Sequence, residues 1–193
     1  KDKEYEAVML LGMTTDTQDV SGTVLNQQEV TVSENAVKTV ITSFEGEYMQ
    51  IPPMYSALKV NGQKLCDLAR KGIEVERKAR PVTIHKIQIL EINLPRVRMK
   101  VECSKGTYIR TLCQDIGDKL GCGACMESLL RTRVSEFCLD GALHLQQIEE
   151  LVQREDFSFV QSVDSVFMQY DSAQVMEIAK KMVENGNRIP KEM

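Results

Sequence analysis

Apolar positions along the chain recur at two different periods, and the way they alternate predicts strands and helices mixed without a regular strand–helix–strand order. Residues 5–13 (YEAVMLLGM) form a short apolar run closed by Gly12 and the polar stretch 14–22, the pattern of a largely buried strand entering a turn-rich loop. Ser33 is placed to cap a helix whose apolar positions Val37, Val40, Ile41 and Phe44 share one face. In residues 50–60 (QIPPMYSALKV), Pro52 and Pro53 exclude both helix and central strand. Asn61-Gly62 is a strong turn signal, and residues 64–71 read as a short helix stopped by Gly72, with Leu65, Leu68 and Ala69 as its apolar face.

Residues 81–94 and 97–103 alternate as two strands joined at Pro95, with Thr83, His85, Ile87 and Ile89 on one face of the first and Val97, Met99 and Val101 on one face of the second. After Gly106 the period predicts a helix over 107–120, with a stripe of Ile109, Leu112, Ile116 and Leu120 and a stop at Gly121. Leu129, Leu130, Val134 and Phe137 predict a short helix running into a strand. Further helices are expected over 145–152 and 173–184, the last stopped at Asn185-Gly186. This mixture indicates an α+β fold.

Composition adds a soluble globular class, with 42% hydrophobic and 27% charged residues over 193 positions. No apolar run approaches the roughly 18 residues of a spanning helix, so a cytoplasmic chain with no membrane association is expected. Six cysteines without a secretory signal read as free thiols. The first residue is Lys1, compatible with processing or with a fragment.

The net charge of −4 argues against nucleic-acid binding only if it is evenly spread. It is not: residues 1–50 carry −6, residues 51–143 carry +6 and residues 144–193 carry −4. Within the basic middle, Lys59, Lys64, Arg70, Lys71, Arg77, Lys78 and Arg80 outnumber Asp67, Glu74 and Glu76, and Arg96, Arg98, Lys100, Lys105 and Arg110 face a single Glu102 in the next run. With Tyr55 and Tyr108 beside them, these runs fit a phosphate-gripping surface with stacking platforms, and equally two solvated faces.

Other chemistry is sparse. Cys122 and Cys125 (CGAC) lack the second ligand pair a zinc site needs, since only His85 and His144 exist, and small buried thiols on a helix are the expected reading. His85 reads as a satisfied strand histidine. There is no GxSxG, P-loop or GxGxxG. Asp16 and Asp19 (TDTQD) lie where side chains cap turns.

Three long motifs in order, KEYEAVMLLGMTTDTQDVSG (3–22), QIPPMYSALKVNGQKLCDLARKGIEVERKARPV (50–82) and GTYIRTLCQDIGDKLGCGA (106–124), resemble the bacterial TruB family of tRNA pseudouridine synthases over about residues 1–145. The resemblance implies a pseudouridine synthase domain with a mixed, mainly antiparallel sheet flanked by helices. It implies isomerisation of uridine 55 in the T-loop of tRNA, with base flipping, no cofactor and no metal. By it, Tyr5 packs against the uracil and is the candidate base, Tyr108 stacks on the flipped base, Arg110 pairs with the catalytic aspartate and Leu129 lines the base pocket. Asp19 falls near the displaced loop bases. The basic segment, about 53–81, corresponds to an insertion that folds over the T-arm.

Two departures accompany the resemblance. The family's Gly-x-Leu-Asp-Pro stretch, which carries the nucleophilic aspartate, does not occur in this sequence, and Cys66 stands where an aromatic is common. The sequence therefore reads as an N-terminally truncated catalytic domain over 1–170, inactive alone, followed over 171–193 by the start of a small C-terminal RNA-binding domain. A monomer is expected at full length. The rival reading is a non-catalytic RNA-binding module on the same scaffold.

Overall fold

Strands that alternate apolar with charged residues build the molecule around one two-faced sheet. The computed structural model describes residues 2–168 and 170–189, so Pro190, where the C-terminal domain is expected to be cut short, lies outside the described residues. The chain divides into two compact units, Lys1–Ala142 and Leu143–Met193, and every candidate site residue is in the first.

The first unit contains β1 (Lys3–Leu11), β2 (Met13–Thr15), β3 (Val24–Gln27), α1 (Glu34–Thr42), β4 (Gly46–Gln50), β5 (Lys59–Val60), β6 (Gln63–Lys64), α2 (Leu65–Ala69), β7 (Arg80–Asn93), β8 (Arg96–Cys103), α3 (Ile109–Leu120), β9 (Ala124–Val134) and β10 (Phe137–Cys138). Six strands form an antiparallel sheet in the order β10-β9-β1-β8-β7-β4, with two small hairpins, β2-β3 and β5-β6, outside it. This is the expected α+β architecture.

β1 lies between β8 and β9, opposing Tyr5 to Val101 on one side and to Arg131 on the other, and Ala7 to Met99 and Leu129. Opposed residues project to the same side of a sheet. The inward face, Ala7, Met9 and Leu11 with Val97, Met99 and Val101, packs against Val37 and Ile41 of α1 and Ile109, Leu112, Cys113 and Ile116 of α3. Burying the Val, Leu, Ile and Met side chains among them contributes about 1.5–3 kcal/mol each before conformational entropy is subtracted. The opposite face is a ladder of opposite charges: Arg98 with Glu6 at 3.1 Å, Lys100 with Glu4 at 3.4 Å and Arg133 with Glu102 at 2.6 Å.

The caps follow the sequence. The Ser33 hydroxyl accepts from the Ala36 amide at the start of α1, and Gly121 ends α3 in the left-handed conformation (φ 76°). Asn61 and Gly62 both take positive φ in the β5-β6 turn, as the Asn-Gly pair predicts.

Three expectations are corrected. Residues 124–134 form one continuous strand, with no helix near Leu129: pairing along β1, accommodated by two register shifts, overrides a local apolar spacing that imitates a helical period. For the same reason Cys122 and Cys125 do not lie on a helix, since the first follows the α3 cap and the second is in β9. The last helix is shorter than 173–184, beginning at Glu177.

Gly117 of α3 lies close against the main chain that enters β9, since a Cβ there would run into Gly123 and Ala124. Main chain cannot rotate aside, so Gly117→Ala is expected to cost about 3 kcal/mol, near the upper end for overpacking. Thermal melting should show this as a fall of roughly 6–12 °C. An unchanged melting temperature would contradict the close approach.

In the second unit, α4 (Leu145–Gln153) starts with a capping box in which the Gln147 side chain accepts from the His144 amide at 2.8 Å. A 3-10 turn, Val163–Phe167, precedes α5 (Glu177–Glu184), whose Ala179 is buried.

Candidate active site and RNA-binding face

The polar stretch 14–22 ends β2 and supplies most of the loop, residues 16–23, between β2 and β3, which is held from both sides. Its main chain docks on β9, Met126 donating to the Gln18 carbonyl and Val20 to the Met126 carbonyl, both at 3.0 Å. Its other side meets α3, where the Thr111 hydroxyl donates to Gln18 Oε1 at 2.6 Å. Asp16 caps the loop by accepting from the Thr23 amide at 2.7 Å.

Asp19 does more than the turn capping its context predicts. Its Oδ1 accepts from the Thr17 hydroxyl at 2.8 Å and from the Ser21 amide and hydroxyl, while Oδ2 accepts from Arg110 Nη1 at 3.0 Å. Arg110 also donates to the Thr17 carbonyl at 3.3 Å. Partial burial works against the charge on Asp19, but the donations from Ser21 and Thr17 and the Arg110 guanidinium hold its carboxyl below the usual range.

That depression fixes the pH behaviour of the loop. A carboxyl with a lowered folded pKa binds protons less readily when folded, so its stabilising effect is present above the ordinary aspartate value near 3.9 and is lost as pH falls below it. Asp19→Ala is therefore expected to cost about 1–2 kcal/mol at pH 7 and progressively less below pH 4. Paired melts across that range check the sign: a cost that grew on acidification would contradict it.

Tyr5 is half-buried on β1, on the face α3 covers, with Arg131 opposite it and Leu129 opposite Ala7 two residues on. Burial, reinforced by the nearby Cys103 thiol, pushes the Tyr5 phenol above its ordinary value, and the Arg131 guanidinium opposes the rise. Leu129 is 44% exposed, giving this face an open apolar edge. Tyr108 occupies the N-cap of α3, so the residue two positions on, Arg110, issues from the first turn. Topology thus brings Arg110 and Asp19 into contact and sets Tyr5 and Leu129 on the face that α3 covers.

The basic insertion folds into the β5-β6 hairpin, around the expected Asn61-Gly62 turn, and α2, the expected short helix. Lys59, Lys64, Arg70, Lys71, Lys78 and Arg80 are exposed, Arg70 within 3.5 Å of Asp67. Arg77 differs from them, since it donates to the Pro52 carbonyl and to Glu74, both at 3.2 Å, and ties the insertion to the QIPP segment. Cys122 and Cys125 are buried, and burial pushes both thiols up, away from reactivity. His85 Nε2 lies 3.5 Å from Asp2 Oδ1.

Sequence reasoning missed Arg131, Gln18, Thr111 and Gln50. Arg131 stands two residues beyond Leu129, a same-face relation visible only once the segment is a strand. The other three act through hydrogen bonds between distant parts of the chain, which no local pattern announces.

Comparison with known proteins bears on this geometry. The fold is that of Cbf5 chains: the one in the crystal structure of a Cbf5-Nop10-Gar1 complex aligns with a TM-score of 0.59 and 28% identity, covering 83% of this chain and 39% of that one. A chain of an archaeal box H/ACA sRNP Nop10-Cbf5 complex aligns with a TM-score of 0.54 and 26% identity, covering 82% and 38%. Residues 1–109 match the profile described as TruB family pseudouridylate synthase (N terminal domain), which makes the first unit a pseudouridylate-synthase domain by class. Residues 110–173 match the tRNA pseudouridylate synthase B C-terminal domain.

The chain belongs to the TruB family. Among its relatives, tRNA pseudouridine synthase B of Alkaliphilus oremlandii is 48% identical over 97% of this chain, and that of Clostridium tetani is 44% identical over 97%. The chain spans 62% and 64% of those two proteins' lengths.

Proposed function

We propose that this chain supplies the tRNA grip and the base pocket of a tRNA pseudouridine synthase acting on uridine 55 of the T-loop. The observation that carries the reading is the Arg110–Asp19 pair at the start of α3, immediately after Tyr108, on a loop locked to β9. In the reaction the N1–C1′ bond breaks, the uracil turns, C5 bonds to C1′, and the proton that C5 gives up is matched by one taken up at N1, so no atom is gained or lost overall. No cofactor or metal is required by this balance.

The roles follow from chemistry and position. Tyr108 stacks on the flipped uracil, offsetting an unstacking cost of a few kcal/mol. Leu129 meets the base with an apolar edge. Tyr5 receives the C5 proton, and Arg110 holds the nucleophilic carboxylate while Asp19 fixes the guanidinium. The sequence contains no Gly-x-Leu-Asp-Pro stretch, so this polypeptide by itself binds tRNA and converts no uridine. At full length the protein acts in the cytoplasm as a monomer, its catalytic domain running to about residue 170.

Binding of a T-arm stem-loop tests the reading. Wild type is expected to prefer it over an anticodon stem-loop of equal length. Replacing Lys59, Lys64 and Lys78 together by glutamine should weaken binding at least tenfold and flatten the salt dependence by two to three phosphate contacts. Equal affinity for both stem-loops, or an unaltered salt slope, would contradict it.

A further inference from the structure

Gln50 is the last residue of β4, paired with Arg80 of β7, and only 1% of it is exposed. A buried carboxamide has to satisfy two donors and an acceptor. Here the acceptor and one donor go to a single residue far away in sequence: Gln50 Oε1 accepts from the Tyr108 amide at 2.8 Å, and Gln50 Nε2 donates to the Tyr108 carbonyl at 3.1 Å. The Nε2 group also meets the Tyr48 hydroxyl, and the Tyr48 ring in turn lies edge-on to Phe44 with centroids 5.4 Å apart.

Tyr108 has no side-chain cap of its own, and its carbonyl also receives the first helical hydrogen bond of α3, from Leu112 at 3.0 Å. Two hydrogen bonds to one residue's N–H and C=O fix its peptide planes, and those planes fix the direction of the Cα–Cβ bond. Gln50 and Tyr108 also share one cleft of about 180 Å³ with Arg80 and Lys105.

We infer that Gln50 is a positioning residue: its carboxamide clamps the Tyr108 main chain so that the ring is presented for stacking before the base arrives. The inference rests on the proposed role of Tyr108 as the stacking platform. A ring held in place before binding loses less freedom when the base lands on it, so the clamp acts on the stacked state more than on the affinity for the RNA stem. No other common side chain reproduces the clamp. Asn is a methylene too short, and the apolar Leu and Met offer neither bond and would leave both Tyr108 groups unsatisfied in a buried place.

The test uses the 193-residue chain and a T-arm stem-loop carrying pyrrolocytidine at the target position, whose fluorescence is quenched by stacking. Wild type should bind and quench. Gln50→Met should reduce the quench at saturation at least fivefold while the stem-loop Kd changes less than threefold. A merely structural role predicts a lowered melting temperature with the quench retained, and that result would overturn the inference. Amide exchange in the wild type keeps it falsifiable if the variant does not fold: Tyr108 should exchange at least 100-fold slower than in an unstructured peptide, and exchange at the free rate would overturn it. Wild type that binds without quenching, or does not bind, overturns the stacking role and the positioning role together, whereas a quench untouched in Gln50→Met overturns only the clamp.

Discussion

Arg110→Ala, made in a chain supplied with the Gly-x-Leu-Asp-Pro segment that the family resemblance implies, is expected to lower uridine isomerisation about 10³-fold, with less than a tenfold change in tRNA affinity. The guanidinium is not one more phosphate contact. Its Nη1 is committed at 3.0 Å to Asp19 and at 3.3 Å to the Thr17 carbonyl, so it is pinned at the start of α3, and its remaining donors have no hydrogen-bond partner among the described residues. Arg110→Lys should fail nearly as badly, because a point charge cannot hold Asp19 and a second carboxylate in the same plane. Single-turnover kinetics beside filter binding separate the two effects. If the variant lost affinity and turnover in equal measure, Arg110 would be an RNA contact and the chain would read as a binding module.

Tyr5→Phe in the same extended chain is expected to reduce turnover by about 10²–10⁴ and leave tRNA binding within threefold. The ring, half-buried on β1, keeps its packing, so the variant removes only the hydroxyl. Burial keeps that phenol protonated near neutral pH, and Arg131 is the group that moderates the rise. The wild-type rate should therefore climb with pH through the neutral range, and the Phe variant should lose that climb. Full activity in Tyr5→Phe would assign the proton transfer to another group and leave Tyr5 as core.

Much of this molecule was legible in its sequence, for identifiable reasons. Ser33, Asn61-Gly62 and Gly121 each impose a local backbone choice, and the elements they bound came out where the signals place them. Strand β9 did not, because Leu129, Leu130 and Val134 serve two faces of a paired strand whose identity depends on β1, more than a hundred residues earlier. The candidate site divides the same way. Tyr5, Tyr108 and Arg110 were legible through long motifs. The pairing of Arg110 with Asp19 and the clamp of Gln50 on Tyr108 join residues 91 and 58 positions apart, and only the fold brings them together. Arg77 shows the converse: composition groups it with the exposed cations of the insertion, while its own contacts bind the insertion to Pro52.

The central claim is that these residues form the grip and pocket of a uridine isomerase whose nucleophile comes from a segment this sequence does not contain. Mapping pseudouridine at single-nucleotide resolution in an unmodified tRNA transcript tests it most directly, with the 193-residue chain compared against the same chain extended by the Gly-x-Leu-Asp-Pro segment that the family resemblance implies. Binding without conversion by the first, and conversion at position 55 alone by the second, is the predicted result. Pseudouridine formed by the unextended chain, or none formed by the extended one, would contradict it.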